Sequence, residues 1–253
     1  MDMQETAGRQ ADASEERAAC ERGAACERGA AGEPGEKTSE RIFRSALPIW
    51  ERCYQHPFVQ GLGDGSLSHD RFAHFMVQDH KYLSMYARVF ALGVVKSECD
   101  RDAREFASFI TSTFQAEQSL HDEYLGQLGI SPEEVERTPM SLANNAYTSY
   151  MMNVALREGP AEIMAAVTAC SWSYKYIGDK LEARENATSD EFYAKWRHTY
   201  SSEWYRASND HDIEMLDRLS AGYAAEKIAR LERIVLDCSE FEYKFWDMCW
   251  NKE

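Results

Sequence analysis

The sequence is poor in residues that end helices: its 253 positions hold six prolines and fourteen glycines, several of them within the first forty residues. Long uninterrupted stretches remain downstream, and these suit helices. Its seven cysteines are scattered without a CxxC pair. The first ten residues, MDMQETAGRQ, have no apolar segment of the export type, and no run approaches the ~18–20 apolar residues that cross a membrane. The thiols are therefore expected to stay reduced, which fits a cytoplasmic enzyme. Positive charge is also scarce. The formal net charge is −15, and the first forty residues, with five basic and ten acidic side chains, leave −10 for the rest. Without a basic stripe interleaved with aromatics, nucleic acid is not an expected partner.

What is present is a core. With 44% apolar and 12% aromatic residues, the chain can bury a sizeable interior. Residues 1–40 stand apart as a low-complexity tail expected to be disordered: Ala18–Ala31 reads AACERGAACERGAA, followed by Gly-Glu-Pro-Gly, with almost nothing to bury. Cys20 and Cys26 lie in this repeat with no histidine nearby. From Glu40 the pattern is helical. One helix is expected through Phe43, Leu47, Ile49 and Trp50 towards His56-Pro57, after which Gly61, Gly63 and Gly65 suggest a tight connection. Ser68 is placed to cap a long helix, and another is expected over roughly 102–128. Ser131-Pro132-Glu133-Glu134 has capping-box spacing with proline at the first helical position, and Thr188 to Glu191 repeats the spacing. Further helices are expected at about 141–157, 160–184, 189–199, 203–219 and 222–250. No strand alternation intervenes, so the expectation is one all-α domain over 41–253 with about seven or eight helices.

Three polar residues interrupt apolar helix faces. Asp79 falls in line with Phe72, Phe75 and Met76 behind it and Tyr82, Tyr86 and Phe90 ahead. Cys170 continues the face of Ile163, Ala166 and Val167 towards Tyr174, Ile177 and Leu181. Glu242 follows Ile234, Val235 and Cys238 and precedes Phe245, Trp246 and Cys249. A buried carboxylate is costly unless paired. A thiol and two carboxylates meeting inside one bundle could supply a nucleophile, an activating group and a general acid/base. The bland alternative is a buried cysteine acting as a small hydrophobe, with Asp79 on a rim and Glu242 paired to Lys244 or Lys227. A metal reading competes: Glu117 and His121 are one turn apart, as are His211 and Glu214 beside Asp210, and di-iron bundles use such Glu/His clusters.

The motifs themselves resemble a known family. His56-Pro57-Phe58-Val59-Gln60-Gly61-Leu62-Gly63-Asp64-Gly65, Asp70-Arg71-Phe72, Gln78-Asp79 with Tyr82-Leu83, and Ala146-Tyr147-Thr148-Ser149 are similar to motifs of the TenA/thiaminase II family. So are Cys170 with Trp172 and Tyr174, Lys195-Trp196, Thr199-Tyr200, Trp204 and Phe241-Glu242-Tyr243-Lys244-Phe245-Trp246-Asp247-Met248. The resemblance covers about residues 41–252 and excludes the tail.

It implies a haem-oxygenase-like helical fold without haem, a homotetramer, and no metal or organic cofactor. The implied reaction converts 4-amino-5-aminomethyl-2-methylpyrimidine to the hydroxymethyl compound in thiamin salvage, with thiamin itself as a further substrate. On the same resemblance Cys170 is the nucleophile: it adds to the electron-poor ring, the leaving group departs from the methylene carbon, water adds, and sulfur is expelled. Asp79 is implied to orient or activate the thiol and to bind the aminopyrimidine edge, and Glu242 to exchange a proton with the ring nitrogen. Tyr82, Tyr147, Tyr174 and Tyr200 match pocket positions that hold the ring. His80-Lys81 and Ser171 depart from the family pattern. Because Cys170 is kept, the chain falls in the cysteine-containing branch. Two other readings stay open: a di-iron oxidase built from Glu117, His121, Asp210, His211 and Glu214, and a non-catalytic regulator that binds a pyrimidine.

Overall fold

A computed structural model describes residues 36–253, and among them there are helices and turns but no strand. The CERGAA repeat, with Cys20 and Cys26, lies outside the described residues. The helices are α1 (Thr38–Tyr54), α2 (Pro57–Asp64), α3 (His69–Lys96), α4 (Asp100–Ser112), α5 (Gln118–Gln127), α6 (Pro132–Arg137), α7 (Leu142–Arg157), α8 (Pro160–Glu182), α9 (Glu191–Tyr200), α10 (Glu203–Leu219) and α11 (Ala225–Asn251). A π-helical turn, Thr113–Glu117, joins α4 to α5 without a break. The longer elements lie close to the expected spans, and the all-α architecture is as expected.

Three local expectations need correction. The division at residue 40 falls inside α1, which starts at Thr38 because the backbone N–H and hydroxyl of Ser39 donate to the Asp217 carboxylate at 2.8 and 2.7 Å. The glycine-rich stretch is a helix, not a connection: Pro57 starts α2, the His56 ring accepts from the Phe58 N–H at 3.1 Å, and Gly61 and Gly63 are buried. Gly61 and Gly63 supply close packing, against Leu67 and Leu181 respectively, while Gly65 alone of the three is left-handed, at φ 83°. At α9 the cap is Asp190, whose carboxylate accepts from the Phe192 N–H, while Thr188 accepts from the Asp190 N–H one turn earlier. Ser68 and Ser131 cap as expected, the latter in a complete capping box.

α8 is the axis of the fold. Ala161–Ala169 is buried on every side, which its run of small residues permits, and α1, α3, α7, α9, α10 and α11 all pack on it. α11 lies along α1 and α8, where the Trp50 indole N–H donates to the Ser239 hydroxyl at 2.9 Å within the core. His56 ties α2 to α11 through Asp247 at 3.0 Å. These contacts leave the middle of α8, with Cys170 and Tyr174, surrounded by α3, α7, α9, α10 and α11.

One contact on this axis has a measurable consequence. A Cβ built on Gly178 would stand 2.8 Å from the Tyr200 carbonyl carbon and 2.9 Å from its Cβ, so the missing side chain lets the end of α9 approach α8. Gly178→Ala is expected to destabilise the protein by about 1–3 kcal/mol through overpacking and to displace Tyr200. A lowered urea midpoint together with a raised KM checks both; an unchanged midpoint would show that the contact is slack.

Candidate active site

The 3.6-residue period brings Asp79, Tyr82 and Tyr86 to one face of α3, and Cys170 and Tyr174 to one face of α8. α7 adds Tyr147, the end of α9 adds Tyr200, and α11 adds Glu242, so the residues named from sequence converge from five helices. Glu242 is the hub. The Tyr147 hydroxyl donates to its Oε1 at 2.7 Å. Burial pushes Glu242 up to about 7, while Tyr147 first and Cys170 second pull it back. The Tyr82 and Tyr147 rings lie 5.2 Å apart between centroids, and Tyr174 meets Tyr200 edge-on at 5.0 Å.

Cys170 is half-buried. Burial first, then the charges of Glu242, Asp79 and Glu117, raise its pKa well above the ordinary thiol range; the Tyr82 hydroxyl donates to Met151 Sδ at 3.6 Å. The resting form is therefore a thiol that needs a base. Asp79 is buried, and burial with the charges of Glu117 and Glu242 raises it well above the usual carboxyl range. Its Oδ2 lies 3.4 Å from Nε2 of His121, yet burial holds that ring down to about 3, so it is a neutral neighbour and supplies no counter-charge. Of the two carboxyls, Glu242 acts on Cys170 more strongly than Asp79.

Cys170 also lines a small, partly open cavity of about 30 Å³, together with Tyr86, Glu117, Ser171, Asn209 and Asp212. Burial raises both Glu117 and Asp212 to about 7. Ser171 donates to Asp212 at 3.0 Å and accepts from the Asn209 amide at 3.1 Å. Sequence reading passed over Tyr86, Asn209 and Asp212 as site residues. Tyr86 shares the face of Asp79 but reads as core. Asp212 continues the buried face of Tyr205 and Asn209, the same signal that marked Asp79, obscured by its charged neighbours Asp210 and His211.

The expected di-iron ligands do not converge. Asp210, His211 and Glu214 sit on the solvent face of α10, opposite Asn209 and Asp212, whereas His121 is buried against Asp79. Among the described residues no group of three or more His, Cys, Asp or Glu side chains is arranged to hold a metal ion. Among the described residues Cys53, Cys170, Cys238 and Cys249 are free thiols.

These buried carboxyls make stability depend on pH. Each has a folded pKa above its unfolded value, so its contribution is complete below about pH 4.5 and is lost as pH rises through about 7. The Tm is expected to fall between pH 5 and pH 8, with each carboxyl at about 7 accounting for on the order of 3 kcal/mol. Glu117→Gln is expected to raise Tm at pH 8 and to flatten the profile. A Tm that rises over this interval in the wild type would contradict the assignment.

The class follows from the architecture. A domain from Shewanella denitrificans described as having a heme oxygenase-like fold matches with a TM-score of 0.67, covering 84% of this chain and 91% of that one at 13% identity. The chain therefore has the haem-oxygenase-like helical fold. It belongs to the TENA/THI-4/PQQC family, whose model matches residues 44–252. Among its relatives is the aminopyrimidine aminohydrolase of Halalkalibacterium halodurans, 43% identical over 83% of this chain and 94% of that protein. The Helicobacter pylori protein of the same name is 38% identical over 85% and 99%. The structure of a TenA homologue from P. horikoshii OT3 matches with a TM-score of 0.80, covering 86% of this chain and all of that one at 27% identity.

Proposed function

We propose that the protein hydrolyses 4-amino-5-aminomethyl-2-methylpyrimidine to the 5-hydroxymethyl compound and ammonia, with Cys170 as nucleophile. Thiamin, whose thiazole would leave from the same methylene carbon, is the second substrate to test. The observation that carries this reading is the meeting of Cys170 with Glu242, which accepts from the Tyr147 hydroxyl at 2.7 Å, beside a buried Asp79 whose carboxyl is held well above its usual range. The relatives named aminopyrimidine aminohydrolase support the choice of substrate.

The residues present suit each step. A neutral carboxylic acid offers one donor and one acceptor side by side, which matches a ring nitrogen adjacent to an exocyclic amine, so Asp79 binds the aminopyrimidine edge. Tyr82, Tyr147, Tyr174 and Tyr200 provide flat faces and hydroxyls to hold the ring. As the sulfur bonds to a ring carbon, the thiol proton passes to Glu242 and on to a ring nitrogen, so the adduct carries no added charge. The leaving group then takes the bonding pair from the methylene carbon. Water adds to that carbon, and sulfur departs as a thiol, reclaiming a proton through Glu242. A carboxyl at about 7 can both accept and return that proton at neutral pH.

Incubation of the purified protein with the aminomethyl pyrimidine is expected to release hydroxymethyl pyrimidine and ammonia in equal amounts. Saturable binding with no turnover would replace this reading with that of a pyrimidine-binding regulator. By the same family resemblance the assembly is a homotetramer in the cytoplasm, and sedimentation checks the first. Among the described residues no helix is long and apolar enough to cross a membrane.

A further inference from the structure

The cavity on the outer side of Cys170 has a chemical bias that the reaction alone does not require. Its walls carry the carboxyls of Glu117 and Asp212, and no lysine, arginine or histidine is among its lining residues. Asn209 adds a third acceptor. The Ser171 hydroxyl donates to Asp212, which leaves its oxygen to accept from the Asn209 amide NH2 and so fixes which way that amide points. The Asn209 side chain lines the cavity, is 1% exposed, and its Oδ1 has no hydrogen-bond partner among the described residues. A buried acceptor left in this state is costly and calls for a donor.

The π turn is what brings Glu117 to this wall. Four residues of an α-helix overshoot a full turn and four residues of a π turn fall short of one, so the two drifts cancel between Phe109, Thr113 and Glu117. All three line the cavity. In an uninterrupted α-helix Glu117 would rotate away from it.

We infer that Glu117, Asp212 and Asn209 form a leaving-group subsite that selects a positively charged ammonium group on the substrate's methylene carbon. The inference rests on the hydrolase reading above and extends it to substrate selection. A pyrimidine ring, with its acceptor nitrogens, is a poor match for a wall of acceptors and fits the Asp79 and Glu242 side of Cys170. A cation satisfies all three acceptors and relieves the repulsion between the two carboxylates. Phe90, Phe109 and the half-exposed Trp204 add aromatic faces suited to a cation, and the small space, about 30 Å³, suits an ammonium group. When the C–N bond breaks, its electron pair goes to nitrogen, so the ammonium leaves as ammonia. The subsite thereby loses its ligand's charge at the moment of cleavage, which favours release.

The test compares a cationic and a neutral ligand on the full chain. Titration calorimetry would measure the aminomethyl pyrimidine and the hydroxymethyl pyrimidine against the Cys170→Ser protein, which prevents turnover. The same titrations would follow in that background with Glu117→Gln, Asp212→Asn or Asn209→Leu added. Each added change is expected to weaken the aminomethyl compound at least tenfold and the hydroxymethyl compound less than threefold. The two amide variants are close in shape to the originals, and an undiminished Tm shows that they are folded. Equal weakening of both compounds, or of neither, overturns the subsite and leaves the hydrolase reading intact. If the Cys170→Ser protein and the wild type bind neither pyrimidine, the hydrolase reading fails and the subsite falls with it.

Discussion

Replacing Cys170 by serine is expected to lower kcat for the aminomethyl pyrimidine by at least about a thousandfold while leaving the fold intact. Serine is nearly the same size but far less acidic, and Glu242 at about 7 is too weak a base to take its proton in the ground state. It is also a poorer leaving group when the adduct must collapse. The other free thiols among the described residues cannot substitute: Cys53, Cys238 and Cys249 are completely buried, whereas Cys170 reaches the cavity. Since Cys170 is half-buried at that wall, the change in stability should stay below about 1 kcal/mol. Release of hydroxymethyl pyrimidine at the wild-type rate by a folded variant would remove Cys170 from the mechanism.

Glu242→Gln is the second large effect. Loss of the group that carries protons between sulfur and ring is expected to lower kcat by about 10²–10⁴-fold. The pH profile separates this role from simple structural damage. In the wild type, activity should rise as Glu242 ionises through about pH 7, because only the carboxylate can accept the thiol proton. The glutamine variant should lose that limb. Tyr147→Phe removes a hydrogen bond that holds the Glu242 pKa down, so the limb should move to higher pH with a smaller loss of rate. A Glu242→Gln profile that keeps the limb would assign it to Glu117 or Asp212, which ionise in the same range.

Much of the site is legible in the sequence because a helix has a fixed period. Asp79, Cys170 and Glu242 each interrupt an apolar face, and their burial follows from the face, before any neighbour is known. Tyr82 and Tyr174 are visible for the same reason, lying three and four residues from Asp79 and Cys170. Periodicity does not say which face meets which. The pairing of Glu242 with Cys170 and Tyr147, and of Asp79 with a neutral His121, depends on how α3, α7, α8 and α11 pack. Glu117 shows the limit most clearly. One turn from His121 it reads as a metal pair, but the π turn directs it to the cavity with Cys170. Asp212 was hidden because its exposed neighbours made the whole stretch of α10 look solvated.

The glycines near residue 63 carry the same lesson at the level of the backbone. Gly61-Leu62-Gly63 suggests a turn by composition, yet α2 forms because Pro57 and the His56 cap start a helix whose glycines are needed for close packing. Their use is set by distant residues, Leu181 among them, which local propensity cannot report.

The sequence by itself determined the helical class, the family and the buried faces that hold Asp79, Cys170 and Glu242, since each follows from local period or from motif. Tertiary structure alone decided the chemistry available to them. It set Glu242 beside Tyr147 and Cys170 and, by burial, raised Asp79 and Cys170 well above their ordinary ranges. It also placed Glu117, Asp212 and Asn209 on one uncompensated acidic wall. Burial and the meeting of charges are properties of packing between distant segments, and no single helix contains them.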